Sequence, residues 1–174
     1  MIARVLVIAG SDSGGGAGIQ ADIKTITMLG GYAATAITAV TVQNTLGVSG
    51  VHAVPPDVVA AQIDAVLSDI GADAIKIGML GDAATTEAVA MAIAGFGGPI
   101  VLDPVMVAKG GASLLAEEAV AALVSLLLPR AAVVTPNAPE MAALTGLAVE
   151  DEGDLLLAAQ ELLSGGPRAV LAKG

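Results

Sequence analysis

The sequence predicts an α/β protein built on an open, largely parallel central sheet with helices on both faces. Three observations carry this. Short apolar runs alternate along the chain with segments of helical periodicity, the rhythm of consecutive βα units. The chain is 55% hydrophobic but only 1% aromatic, so its core is made of Ala, Val, Leu, Ile and Met, as in parallel strands covered on both sides. Glycines crowd the end of the first strand, five of them within residues 10–18, where such sheets bind their ligands.

The predicted strands are Arg4–Ala9, Ala33–Val42, Ala74–Ile77, Pro99–Leu102, Ala131–Thr135 and Ala169–Ala172. Gly47–Val54 reads as a further, half-exposed strand. A helix follows the glycine loop directly. Val59, Ile63, Val66 and Ile70 make one apolar helical face. Val89, Ile93 and Phe96 repeat that pattern behind Asp82, which suits an N-cap. Ala116–Leu127 forms another helix, with Glu117 and Glu118 in the turn where the macrodipole favours acids. Leu155, Ala159 and Leu162 mark the last helix, closed by Gly165-Gly166-Pro167. Gly97-Gly98 and Gly110-Gly111 are loop punctuation, so residues 1–174 are expected to form one domain with a substantial core.

Composition excludes several function classes. With a formal net charge of −10, the chain is unsuited to nonspecific nucleic-acid binding, which depends on Lys and Arg. One Tyr, one Phe and no Trp leave no platform for base stacking. No cysteine occurs, so disulfides and thiolate metal sites are excluded and a cytoplasmic home is expected. The mean hydropathy is high at +0.83, and residues 25–56 carry no Asp, Glu, Lys or Arg. Gly30-Gly31, Gln43-Asn44 and several threonines interrupt that stretch, so no membrane span is expected. His52, the sole histidine, is expected at the surface, and it rules out His-clustered metal sites.

The residues behind each strand carry the chemistry. The loop Gly10-Ser11-Asp12-Ser13-Gly14-Gly15-Gly16-Ala17-Gly18 brings backbone N–H groups toward a ligand, and the helix start behind it favours negative charge. Asp12 and Asp22 add carboxylates. The loop is neither a Walker A loop nor a G-x-G-x-x-G fingerprint, because Ile19 stands at the third glycine position. Gln43, Asn44 and Thr45 suit a heterocycle bearing an amine and a ring nitrogen, or simply a turn. Met79 could line a pocket with its thioether, or pack in the core. Asp103, alone behind an apolar strand, suits a Mg²⁺ ligand or a loop cap. Asn137 and Glu140 have the spacing of a capping box, which is compatible with organising hydrated Mg²⁺. Lys173 is placed to neutralise phosphate, or is simply solvated.

Taken in order, five segments closely resemble one family across the whole chain. They are Ala9-Gly10-Ser11-Asp12 with Gly14–Thr25, Thr38–Thr45, Lys76-Ile77-Gly78-Met79-Leu80, Leu102-Asp103-Pro104-Val105-Met106 and Thr135-Pro136-Asn137-Ala138-Pro139-Glu140. The chain resembles the hydroxymethylpyrimidine/phosphomethylpyrimidine kinases of thiamine biosynthesis, members of the ribokinase-like superfamily with its Rossmann-like three-layer fold. The resemblance implies an ATP- and Mg²⁺-dependent enzyme. It would phosphorylate 4-amino-5-hydroxymethyl-2-methylpyrimidine and then the resulting monophosphate. It also implies that Gly10, Asp22 and Gln43 hold the pyrimidine, and that Met79 and Val105 pack on its ring. Asp103 and Glu140 would place the metal, with Asn137 and Lys173 on the nucleotide side. A homodimer is implied as well. A pyridoxal or other vitamin kinase, or a non-catalytic pyrimidine-binding module, is the competing expectation.

One departure from the family pattern matters. Family members continue into a Gly-Thr-Gly-Cys-like segment that supplies the anion hole for the moving phosphoryl group. This sequence reaches Gly174 without one, and no residue in it inherits that role. The chain is therefore expected to match the N-terminal two-thirds of the family's domain and, by itself, to turn over little or no substrate.

Overall fold

The computed structural model describes residues 2–106 and 117–174. Its elements are β1 (Arg4–Asp12), α1 (Gly18–Met28), β2 (Tyr32–Asn44), β3 (Gly47–Ala53), α2 (Pro56–Ala65), β4 (Ala74–Ile77), α3 (Ala83–Ala92), β5 (Ile100–Leu102), α4 (Glu117–Ala122), β6 (Val133–Val134), α5 (Ala138–Thr145) and α6 (Glu152–Ser164). Among the described residues the strands form one six-stranded sheet in the order β3-β2-β1-β4-β5-β6. All neighbours are parallel except β2 and β3, which form an antiparallel hairpin. The predicted α/β class and the half-exposed strand after residue 46 are both present. The loop expected behind β5 at Val107–Gly111, and Ala116 of the predicted fourth helix, lie outside the described residues.

The sheet is buried on two faces because its strands alternate apolar residues to both. Leu6 and Ile8 of β1 align with Ile75 and Ile77 of β4, which align with Ile100 and Leu102 of β5. These residues and Val134 of β6 form one core with Val59 and Ile63 of α2, Val89 of α3, Met141 of α5 and Leu162 of α6. The opposite face of β1 carries Val7 and Ala9, which pack with Ile37 of β2 against Ile19, Ile23 and Ile26 of α1. Strand order reverses between β1 and β4, so a crevice opens above their carboxyl ends, as expected at a topological switch point.

Several helix ends follow the predicted chemistry. Asp82 caps α3 by accepting from Thr85 N–H at 2.7 Å, and Asn137 with Glu140 closes the full capping box of α5. Two devices were not legible. Gln62 of α2 hydrogen-bonds both backbone groups of Ile37, at 3.0 and 3.1 Å, just before β3 takes over pairing at Ala39. It therefore satisfies an otherwise open strand edge. Arg130 donates to the carbonyls of Ala90, Ile93 and Ala94, a cation on the last carbonyls of α3.

Some boundaries move for physical reasons. α2 widens after Ala65 into a turn with Gly71 N–H bonded to Val66 C=O, so Val66 and Ile70 are only half-buried. α3 ends at Ala92, and Phe96 reaches the core from the following turn. The predicted strand Ala169–Ala172 is not a strand. The segment meets β6 through one isolated parallel bridge, Val134 with Val170, and a second bridge, Asn137 with Lys173, lies just beyond both. Between the two bridges stands Pro136, which has no N–H to continue the ladder, and the same residue shortens β6.

Gly18 stands at φ +55°, and a Cβ there would overlap the carbonyl of Gly10. Gly30 has φ +81° but open space around it. Gly30→Ala is expected to cost about 1–2 kcal/mol of unfolding free energy. Gly18→Ala is expected to cost at least about 1 kcal/mol more, because strain and overlap add. Urea denaturation of the two variants checks this; equal costs would mean the Gly10–Gly18 approach does not constrain the loop.

Candidate active site

The crevice above β1 and β4 is a cavity of about 540 Å³, within the range of small-molecule sites. β1 supplies Ala9 through Asp12, the loop and α1 supply Gly14 to Asp22, and β4 and its following turn supply Lys76, Gly78 and Met79. Asp103 and Val105 close it from the segment behind β5, and Thr41, Gln43, Val48 and Val51 of the hairpin form its wall. Six of the predicted residues, Gly10, Asp22, Gln43, Met79, Asp103 and Val105, thus line one cavity. Asn137, Glu140 and Lys173 do not line it. Lys173 reaches its edge by donating to Asp103 Oδ1 at 3.0 Å.

The glycine loop works differently from expectation. Its amides are occupied by its own acid. Asp12 Oδ1 accepts from Gly14 N–H at 2.7 Å, and Oδ2 accepts from Gly16 and Ala17 N–H at 2.9 and 2.8 Å. Asp12 is 5% exposed and lies at the start of α1, where the macrodipole favours an anion. Neither its carboxylate nor those amides remain free for a ligand. Burial pushes the Asp12 carboxyl up, but the N–H groups of Gly14, Ala17, Gly16 and Gly15 outweigh it and hold the pKa below its ordinary value. Around this centre, Gln20 accepts from Asp12 N–H and donates to Ser11 Oγ. Ser13 ties the loop to both backbone groups of Gln43, where β2 shifts register.

The remaining groups divide by chemistry. Thr41 Oγ1 lies 3.0 Å from Ser11 C=O and 3.2 Å from Gln43 Oε1; its one proton is shared between the two, so the Gln43 amide remains able both to donate and to accept in the cavity. Asn44 is a turn residue: its Oδ1 accepts from Leu46 and Gly47 N–H. Met79 lies directly over Gly10, where a Cβ would come within 2.5 Å of its Cε. Absence of a side chain at residue 10 is what admits the thioether.

Charges alternate along the rim. Lys76 Nζ lies 2.9 Å from Asp22 Oδ2 and 3.8 Å from Asp103 Oδ2. Asp103 Oδ1 accepts from Thr135 Oγ1 at 2.9 Å as well as from Lys173. Lys76 was not among the residues expected in the site. The available signal was a single cation inside the apolar run of β4. Glu140 is buried, and that burial pushes its pKa up. The N–H groups of Asn137 and Met106 and the charge of Lys173 pull it down, while the charge of Asp103 adds to the rise. Among the described residues no group of three or more His, Cys, Asp or Glu side chains is placed to cage a metal, and no helix is long and apolar enough to cross a membrane. His52 is exposed on β3, as expected.

Comparison with known proteins places this arrangement. The family model described as phosphomethylpyrimidine kinase matches residues 12–174. A hydroxymethylpyrimidine/phosphomethylpyrimidine kinase of Haemophilus influenzae is 53% identical over 174 residues, covering 99% of this chain and 65% of that protein. The chain therefore spans just under two-thirds of that relative's length. The crystal structure of phosphomethylpyrimidine kinase from Clostridium difficile superposes with a TM-score of 0.91 at 41% identity, covering 99% of this chain and 75% of that one. The pyridoxal kinase of Staphylococcus aureus in complex with pyridoxal also reaches 0.91, at 38% identity, covering 100% and 65%.

The Asp12 clasp and the Arg4–Asp73 pair make stability depend on acid. Asp12's pKa is lower in the folded protein than its ordinary value of 3.8, and its bonds to Arg4 lower Asp73 to about 2. Both contributions are present above the unfolded value and are lost as pH falls through the folded one. Glu140 acts oppositely: its contribution is present below its ordinary value and lost as pH rises through the raised one. Thermal unfolding between pH 6 and pH 2 is expected to show a falling midpoint below about pH 4. Asp12→Asn is expected to lose about 1–3 kcal/mol at neutral pH and to flatten that acid limb. An unchanged limb would deny Asp12 its part in it.

Proposed function

Since the chain belongs to the phosphomethylpyrimidine kinase family, we propose that its cavity binds 4-amino-5-hydroxymethyl-2-methylpyrimidine and then the monophosphate, and that the protein transfers the γ-phosphoryl group of ATP to each. The observation that carries the substrate is the meeting of Gln43, Asp22, Met79 and Val105 in one cavity. An amide that donates and accepts matches an aminopyrimidine edge. Met79 and Val105 offer apolar contact to the ring, and Asp22 is a carboxylate within the same space. Residues 1–174 are read as one domain, supported by the single sheet that runs through the described strands.

The phosphate side is the group around Asp103. Mg²⁺ takes one or two carboxylates and keeps most of its waters, and two hard oxygen donors are what Asp103 and Glu140 provide. Asp103 Oδ2 accepts no hydrogen bond among the described residues, so the donor set fits a hydrated Mg²⁺ ion. That ion, bound with ATP, would neutralise developing phosphate charge. Asn137 organises Glu140 through the capping box, and Lys173 brings a cation toward the nucleotide side. In phosphoryl transfer the protein mainly aligns the groups and balances charge. Here the aligning elements are the clasped loop and β4, which hold Asp22 and Lys76 against one another. Family membership further supports a cytoplasmic homodimer, which light scattering would test for oligomeric state.

The second reading is a pyridoxal kinase, favoured by the likeness to the S. aureus enzyme, whose structure holds pyridoxal. Turnover on the two substrates, measured on a form of the protein extended through the family's anion-hole segment, discriminates. We expect kcat/KM for the pyrimidine alcohol to exceed that for pyridoxal, and Gln43→Ala to lower it by on the order of tenfold. Dominant pyridoxal activity, indifferent to Gln43, would replace the first reading with the second. Asp103→Asn is expected to raise the Mg²⁺ concentration at half-maximal turnover by roughly 10–100-fold; an unmoved Mg²⁺ requirement would remove Asp103 from the metal site.

A further inference from the structure

β4 is apolar except at Lys76. Ile75 and Ile77 point into the main core, while Lys76 lies between Val7 and Val101 on the neighbouring strands. A cation there gives up part of its hydration. The Asp22 carboxylate offsets this, but only in part. An ammonium carries three N–H donors, and among the described residues Lys76 Nζ makes one hydrogen bond, to Asp22. Asp103 Oδ2, at 3.8 Å, attracts it without bonding. Lys76 is also the one cation among the described residues lining the cavity.

Space is kept open around this ammonium. A Cβ on Gly78 would come within 3.0 Å of Lys76 Nζ and 3.1 Å of Ala9 Cβ, although Gly78 is buried and has no backbone conformation that requires glycine. An ion pair serving only to pin α1 to the sheet would need neither the cleared space nor unclaimed N–H groups facing the cavity. The two proposed substrates differ in charge. The alcohol is neutral, whereas its monophosphate carries about −1.5 to −2 at neutral pH and would be repelled by Asp22 and Asp103.

We propose that Lys76 is the specificity-determining residue that lets one cavity accept both the neutral alcohol and its monophosphate. With the alcohol bound, Lys76 remains on Asp22 and balances it. With the monophosphate bound, its unclaimed N–H groups meet the phosphate oxygens and offset the repulsion of the two flanking carboxylates. This inference rests on the two-step kinase reading above.

The test is calorimetric titration of the protein with the pyrimidine alcohol and, separately, with its monophosphate, in the absence of nucleotide. The readout is the ratio of the two affinities, in which any effect on Asp22 common to both ligands cancels. Lys76→Met is expected to lower the monophosphate-to-alcohol ratio by on the order of 10–100-fold, the scale of a lost charge-assisted hydrogen bond. Lys76→Arg is expected to restore part of it. Gly78→Ala, which displaces the ammonium without removing it, is expected to lower the ratio in the same direction. These two variants carry the test if Lys76→Met does not fold. Ratios within about twofold of the unsubstituted protein, with both ligands weakened alike, would overturn the selector role and leave the kinase reading standing. Failure of the unsubstituted protein to bind either ligand would overturn the kinase reading, and the selector with it.

Discussion

The Asp12 carboxylate sits inside its own glycine loop, bonded to the amides of Gly14, Gly16 and Ala17. The rest of the site is built outward from this contact. It terminates β1, sets the start of α1 and so places Asp22 one turn into that helix, facing β4. Through Ser13, the same loop holds the bulge of β2 at Gln43. A buried carboxylate is tolerable only when its hydrogen-bonding capacity is met. The loop's glycines let several amides converge on one acid, a role different from cradling a ligand anion.

The rim beyond that loop is electrostatically self-compensated. Asp22, Lys76, Asp103 and Lys173 alternate in sign along the carboxyl ends of the strands. Each charge is partly desolvated and therefore needs its neighbour. Such a chain is poised for polar ligands, because a cation or anion that enters can exchange partners with a group already aligned. The Asp22 side and the Asp103 side of the cavity are thereby joined by Lys76 rather than being two separate sites. Apolar residues from the hairpin, Val48 and Val51, and from the strand ends, Met79 and Val105, line the same space, and low polarity strengthens the interactions within it.

Much of this was legible from residue patterns. The βα rhythm, the buried apolar strands and the glycine-rich junction of the first strand with its helix pointed to the fold class. The Asn137–Glu140 spacing and Asp82 pointed to caps that the structure shows, since capping depends on neighbours in sequence. Gly10, Asp22, Gln43, Met79, Asp103 and Val105 were grouped by the family resemblance, and all six line one cavity. Their separation in sequence then says nothing about their separation in space.

Other features depended on partners far away along the chain. Whether loop amides face a ligand or an acid is settled by the rotamer of Asp12, which no periodicity encodes. Lys76 reads as an isolated cation until Asp22 arrives from α1 and Asp103 from the segment behind β5. Gln62 acquires its purpose only beside the unpaired edge at Ile37. Ala169–Ala172 has the apolar character of a strand but lies against Pro136, which cannot continue the ladder. The sequence by itself determined the order of elements, their buried faces and the local caps, because those rest on spacing and neighbouring residues. The tertiary structure alone decided which charges meet and which polar groups are left to bind, because both are properties of contacts between distant segments.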